Sequence, residues 1–182
     1  MVLLNSKMAP LGSPAHDFSL PGTDGNMYSL DSFKDKKVLV IIIMCNHCPY
    51  VKAVFDRIIA IQNDYADKGV QVVGINPNDE KSYPEDSMEN MKKIVEEKRV
   101  TFKYLRDDDQ SVSKKYGAVC TPEIYVYGSE RALLYRGRID DNWQDETKVT
   151  LTDLRDALDA ILEDRPVPDV QHPSMGCSIK WL

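Results

Sequence analysis

Two cysteines, Cys45 and Cys48, flank Asn46-His47 and are followed by Pro49. Thiols at this spacing can close into a disulfide and reopen by exchange with another thiol or disulfide. Immediately before them runs Val38-Leu39-Val40-Ile41-Ile42-Ile43-Met44. It is apolar without alternation, the pattern of a strand buried on both faces. From Pro49 to Lys68, Val51, Val54, Phe55, Ile58, Ile59, Ile61 and Tyr65 broadly follow helical spacing, and Gly69 stops the helix. The cysteines therefore sit where a buried strand hands over to a helix. A helix N-terminus carries partial positive charge and unpaired N–H groups, and both favour thiolate over thiol. This reading makes Cys45 the more exposed and more acidic sulfur, which attacks, and Cys48 the one that resolves. His47 is either a surface residue of the helix start or, when protonated, a charge favouring the Cys45 thiolate. Stabilising the reduced form would make the couple more oxidising.

The elements that must hold this pair follow from patterning. Val70–Ile75 reads as a second buried strand, closing a β-α-β unit with a parallel pair. Upstream, residues 1–15 read as an extended lead-in. His16–Leu20 and Asn26–Leu30 flank Pro21-Gly22-Thr23-Asp24-Gly25, the pattern of a short hairpin. Downstream, residues 76–86 form a polar loop, Ser87–Arg99 a helix, Phe102–Leu105 a strand, and Ser111–Tyr116 a short helix ended by Gly117. Glu123–Tyr127 and Ala132–Ile139 read as a hairpin around Gly128-Ser129. Thr150–Glu163 is the clearest helix, with Leu151, Leu154, Leu158, Ile161 and Leu162 apolar. Pro166, Pro168 and Pro173 then forbid helix. Residues 1–165 are read as one domain and 166–182 as a tail that folds back on it, anchored by Ile179 and Trp181.

Composition bounds the function. The chain has 182 residues, 42% apolar and 29% charged, enough for one domain with a full core. A net charge of −6 argues against nucleic acid and anionic membranes as partners. No apolar run is long enough to span a bilayer. The first residues, Met1-Val2-Leu3-Leu4-Asn5-Ser6-Lys7, carry no basic region and too little apolar sequence for a secretion signal. The expectation is a cytoplasmic location, where four cysteines are not a structural framework. Oligomeric state is left open.

The order β-β, then β-α-β with Cys-x-x-Cys at the first turn, then β-β-α resembles the thioredoxin fold. More narrowly it resembles the peroxiredoxin-like branch of that superfamily, the AhpC/TSA or redoxin grouping. The residues that carry the resemblance are Pro14-Ala15-His16-Asp17-Phe18-Ser19-Leu20, Gly25-Asn26-Met27-Tyr28-Ser29-Leu30, Cys45-Asn46-His47-Cys48-Pro49 and Gly117-Ala118-Val119-Cys120-Thr121-Pro122. The tail Gly176-Cys177-Ser178-Ile179-Lys180-Trp181 is similar to that of uncharacterised members. The resemblance implies an α/β fold with a central mixed sheet flanked by helices, an N-terminal β-hairpin extension and a C-terminal tail. It also implies that Pro122 is cis and presents the Thr121 backbone to an extended substrate; the plainer reading is a proline at a strand start.

The chain departs from the family pattern. If Cys48 takes the place of the peroxide-reactive cysteine, Cys45 stands where those enzymes carry Thr or Ser, and Ile41 where they carry Pro. Thr121 or Pro122 falls near the place of their Arg. Thioredoxin's buried acid would fall at Leu39, and Asn76, Asp79 and Glu80 are weak replacements. The expected activity is thiol–disulfide exchange by Cys45 and Cys48, with electrons from a thiol protein or small thiol and no organic cofactor. The alternative is a thiol peroxidase passing through a sulfenic acid on Cys48 or Cys45. A further alternative from another class is copper or zinc held by Cys45, Cys48 and His172. Structural zinc wants four ligands, usually as two close pairs, so the expectation is no metal. Cys120 is read as filler or a relay thiol, and Cys177 as a third, relay thiol or an incidental surface residue. A tail docked near the helix start would let Cys177 attack the Cys45–Cys48 disulfide. Arg136, Gly137, Arg138, Asp140 and Asp141 line either the rim of the site or a charged hairpin end.

Overall fold

The computed structural model describes residues 3–182. At its centre is a five-stranded mixed sheet: β4 (Val38–Ile43), β5 (Val70–Asn76), β6 (Lys103–Arg106), β8 (Glu123–Tyr127) and β9 (Leu133–Gly137), in the order β6-β5-β4-β8-β9. β4 and β5 run parallel, as do β5 and β6, while β8 is antiparallel to both β4 and β9. The unbroken apolar run of β4 makes it the middle strand, with every residue buried. Its side chains alternate between two cores, as a pleated strand requires. Val38, Val40 and Ile42 pack with helix α1 (Pro49–Tyr65) and helix α4 (Asp153–Leu162). Leu39, Ile41 and Ile43 pack with Phe18, Phe33, Val112 and Tyr116 on the other face. Helix α2 (Met88–Lys98) places Met91 in the α1 core, and the short α3 (Ser111–Lys115) places Val112 in the other.

The N-terminal hairpin pairs β2 (Ser19–Pro21) with β3 (Met27–Ser29), with Gly25 in the left-handed region at the turn. The lead-in contains β1 (Leu3–Asn5), which joins a second, three-stranded sheet. Its order is β1-β10-β7, where β10 is Met175–Ser178 and β7 is Cys120–Thr121. The tail thus lies between the start of the chain and the segment entering Pro122. Three residue pairs join β10 to β1, and Cys177↔Thr121 and Ser178↔Cys120 join it to β7. Ile179 is buried and anchors the tail, but Trp181 is 40% exposed, with the Lys114 ammonium over its ring. The anchoring expected of Trp181 comes instead from backbone bonds. The Lys180 N–H donates to Asn78 Oδ1, its carbonyl accepts from Asp79 N–H and from Gln110 Nε2, and Leu182 N–H donates to Gln110 Oε1. The hairpin end is shorter than the sequence suggests, since β9 stops at Gly137. Among the described residues, no helix is long and apolar enough to cross a membrane.

Candidate active site: three thiols at a helix start

Pro49 occupies the first turn of α1, where its missing N–H costs nothing, and Cys48 is the N-cap, extended at φ −65° and ψ 125°. The helix therefore begins three residues later than one capped by Cys45 would. Cys45 lies before it, at the end of the β4 segment. Neither sulfur is the exposed one: Cys45 is 1% and Cys48 0% exposed. This corrects the assignment of Cys45 as the exposed, acidic sulfur. Proline at the first helical position was the signal that marks Cys48 as the cap.

The electrostatics follow the same geometry. The Cys48 sulfur, as thiolate, accepts hydrogen bonds from the Cys45 thiol, then from the Cys177 thiol and the Val51 N–H. These hold it well below the ordinary thiol range, against the opposing effect of burial. Burial, donation to Cys48 and the nearby Asp86 carboxylate push the Cys45 thiol up. Burial and the same donation to Cys48 push Cys177 up as well. The Cys45 sulfur lies 3.4 Å from the Thr121 hydroxyl, and the protonated Cys48 thiol would donate to the Thr121 carbonyl at 3.3 Å. The Thr121–Pro122 peptide is cis. Cys177 is 2% exposed, in the same core as Cys45 and Cys48. Cys120 is also buried, with its sulfur 3.7 Å from a Glu123 carboxylate oxygen; burial and that charge push its thiol up.

A buried acid does stand beside the pair: Asp86, the last residue of the 76–86 loop, rather than Asn76, Asp79 or Glu80. Asp86 ends a single 3-10 turn, Pro84–Asp86, ahead of α2, and is 0% exposed. Its carboxylate accepts from the Asn46 N–H at 2.6 Å, His47 Nδ1 at 2.5 Å and Asn78 Nδ2 at 2.8 Å. Burial raises its pKa, but these donors, His47 foremost, bring the net value below the usual carboxylate range. Because an ionised carboxylate only accepts, Nδ1 of His47 carries the hydrogen and Nε2 is left with its lone pair. Nε2 is buried with no hydrogen-bond partner. The ring stacks on Tyr83, centroids 4.8 Å apart and planes within 10°. Tyr104 O–H donates to Asn46 Oδ1 at 2.8 Å and fixes the residue between the cap and the acid. Asn76 donates to Asp86 at 3.4 Å, so of the three weak replacements it alone reaches the acid, as a donor; Asp79 and Glu80 lie elsewhere. A loop carboxylate reached from 40 residues away has no local spacing to betray it.

Donor atoms of Cys45, His47 and Asp86 lie within 4.8 Å of one another. Asp86 and His47 already satisfy each other there, and the set falls one short of the four that tetrahedral zinc takes. His172 does not join Cys45 and Cys48. It lines a cavity of about 300 Å³ that opens beside Pro122, together with Tyr50, Trp143, Arg138 and Asp140. Buried Arg57 shapes this cavity, donating to Asp140 Oδ2 at 2.7 Å and to the Asn142 and Trp143 carbonyls. Asp141 lines it too, so three of the five rim candidates reach the site. Arg136 instead donates to Ala9 and Gln171.

A profile of the AhpC/TSA family matches residues 11–136. A solved structure of an uncharacterised conserved protein from Geobacillus kaustophilus is 46% identical, with a TM-score of 0.95, covering 100% of this chain and 97% of that one. A candidate peroxiredoxin of Mycobacterium tuberculosis is 27% identical over 114 residues, covering 63% of this chain and 68% of that protein. A candidate thiol:disulfide interchange protein, DsbE, from Chlorobium tepidum shares the fold at 21% identity, with a TM-score of 0.68 over 84% of this chain and 98% of that one.

Proposed function

The chain belongs to the AhpC/TSA family, with the thioredoxin fold and peroxiredoxin-like character that go with it, and from that premise we propose that it is a thiol–disulfide oxidoreductase whose attacking sulfur is Cys48. The observation that carries this reading is the Cys48 sulfur at the N-cap, accepting from Cys45 and Cys177. The thiolate attacks a substrate disulfide, forming a mixed disulfide and releasing one substrate thiolate. Cys45 then attacks the Cys48 sulfur, closing Cys45–Cys48 and releasing the second thiolate. The proton that Cys45 gives up passes to His47, oriented by Asp86, through a bridging water, since atoms of the three side chains lie within 4.8 Å of one another. Substrate side chains enter the cavity beside Pro122. A thiol protein or small thiol, of the kind a reducing cytoplasm supplies, returns the pair to the dithiol state. Because the Cys48 thiolate is stabilised, the couple is an oxidising one.

One observation favours a second reading. The acidic sulfur is Cys48, the position that the peroxide-reactive cysteine takes in the family pattern. The same thiolate could be oxidised by peroxide to a sulfenic acid, with Cys45 condensing on it to give the same disulfide. Cys45, however, replaces the hydroxyl residue of that pattern. The test is stopped-flow oxidation of the reduced protein by hydrogen peroxide and by a small disulfide at matched concentration, with acid quenching. Faster reaction with the disulfide, lost in Cys48→Ser and ending in a mixed disulfide at Cys48 when Cys45→Ser and Cys177→Ser are combined, supports exchange. Faster reaction with peroxide would make the protein a peroxidase first.

A further inference from the structure

We propose that Cys177 is a third redox thiol, which exchanges with the Cys45–Cys48 disulfide to give a Cys48–Cys177 disulfide, so that strand β10 acts as a substrate strand built into the chain. The inference rests on the reading of Cys45 and Cys48 as an exchanging pair. The family match ends at residue 136, well before this strand.

The geometry is that of an occupied substrate site. β7 is a two-residue strand whose edge is the backbone just ahead of Pro122. An extended peptide bound there would run antiparallel to Thr121 and bring a cysteine opposite it, over the Cys48 sulfur. β10 does this in the free protein. It runs antiparallel to β7 with Cys177 opposite Thr121. The Cys177 thiol hydrogen-bonds to Cys48, while the neighbours acting on Cys45 are Cys48, Asp86 and Thr121. Cys48 is thus the sulfur shared by two possible disulfides. The backbone approach is so close that a Cβ on Gly176 would lie 1.9 Å from the Thr121 carbonyl oxygen, so only glycine lets the strand seat at this depth.

The exchange balances within the chain. Cys177 loses its proton and its thiolate attacks the Cys48 sulfur. The Cys48–Cys177 bond forms as the Cys45–Cys48 bond breaks, and the electron pair leaves on Cys45, which takes up a proton. No external oxidant is used, since one disulfide replaces another. The gain is access. Cys45 and Cys48 are both fixed to the core and at most 1% exposed. The new disulfide has one sulfur on the tail strand, held by three residue pairs to β1 and two to β7 and by the Lys180 and Leu182 hydrogen bonds beyond it, rather than on the central sheet or α1.

The experiment uses the full chain. Reduced protein receives one equivalent of oxidised glutathione, is acid-quenched and alkylated, and is mapped by digestion and mass spectrometry. Wild type should show two one-disulfide forms: Cys45–Cys48 closed, and Cys48 linked to Cys177 with Cys45 alkylated. The tail cross-link should rise several-fold in Cys45→Ser and be lost in Cys177→Ser and in Cys48→Ser. If Cys45–Cys48 closes in wild type but no tail cross-link forms there, the inference is overturned and the exchanging pair stands; this arm needs no variant to fold. If Cys45–Cys48 does not close either, the pair reading falls, and the inference with it. A tail cross-link that uses Cys120, or that joins two molecules, also overturns it.

Discussion

Replacing Cys45 by alanine removes the strongest of the hydrogen bonds that hold the Cys48 sulfur as a thiolate. Hydrogen bonds to a charged group contribute about 1.5–3 kcal/mol. Cys48 is fully buried, so solvent does not screen the loss. At about 1.36 kcal/mol per pH unit, the Cys48 titration should move up by about one to two pH units. Serine at position 45 keeps a donor, so Cys45→Ser should titrate close to wild type. Cys177→Ala removes the weaker thiol donor and should shift the titration less than Cys45→Ala. Thiolate absorbance against pH in the reduced protein reads this directly. Burial pushes the other thiols upward, so the change at low pH belongs to Cys48 alone. If Cys45→Ala and Cys45→Ser titrate alike, hydrogen bonding is not what makes Cys48 acidic. If wild type has no thiol titrating below the free value of about 8.5, Cys48 is not the attacking sulfur.

Asp86→Asn should destabilise the protein by at least about 1.5–3 kcal/mol in urea titrations near neutral pH, since a buried carboxylate accepting from the Asn46 N–H, His47 Nδ1 and Asn78 Nδ2 becomes an amide whose NH2 faces those donors. The folded Asp86 carboxyl is held low, so its contribution is present above the ordinary Asp value and is lost as pH falls through the lowered one. The gap between wild type and Asp86→Asn should therefore narrow below about pH 4. Loss of the charge should also bring the Cys45 thiol down, because Asp86 now pushes it up. Gly176→Ala drives a Cβ into the Thr121 carbonyl and should lift β10, giving faster alkylation of Cys48 and proteolysis within the tail; unchanged rates would mean the strand already sits loosely. Arg57→Ala leaves the buried Asp140 carboxylate without its guanidinium and should cost about 3–5 kcal/mol, read as a lower urea midpoint.

The sheet was legible because its signals are local. The apolar run of β4, the β-α-β spacing to β5 and the turn chemistry around Gly25 and Gly128 each occupy a few consecutive residues. The site was only half legible. Cys45, Cys48, Thr121 and Pro122 announce themselves by motif, but which sulfur is acidic depends on where α1 begins. Pro49 fixes that start, which the spacing gave correctly, but the reading let the helix N-terminus act on Cys45 rather than on Cys48, the residue directly before Pro49. Asp86, Asn46 and Tyr104 act through contacts spanning 40 and 58 residues, which no periodicity records. The place of Cys177 depended on β10 pairing with both β1 and β7, a long-range match that three prolines in the tail do not foretell.

The burial of β4 on both faces has a consequence for how the chain reaches its native state. Val38–Ile43 is apolar, largely β-branched and free of charge and proline, the composition of a segment prone to cross-chain stacking. Its partner β5 arrives within one β-α-β unit, but its other edge waits for β8, about eighty residues further along. A partly folded chain therefore presents an open, sticky edge, guarded on one side by Lys36 and Lys37 and on the other by Pro49. Variants that weaken the site, Asp86→Asn among them, should precipitate on slow refolding at high concentration and recover on dilution, because the segment that delivers the thiols is the one most prone to pair with a neighbour's copy.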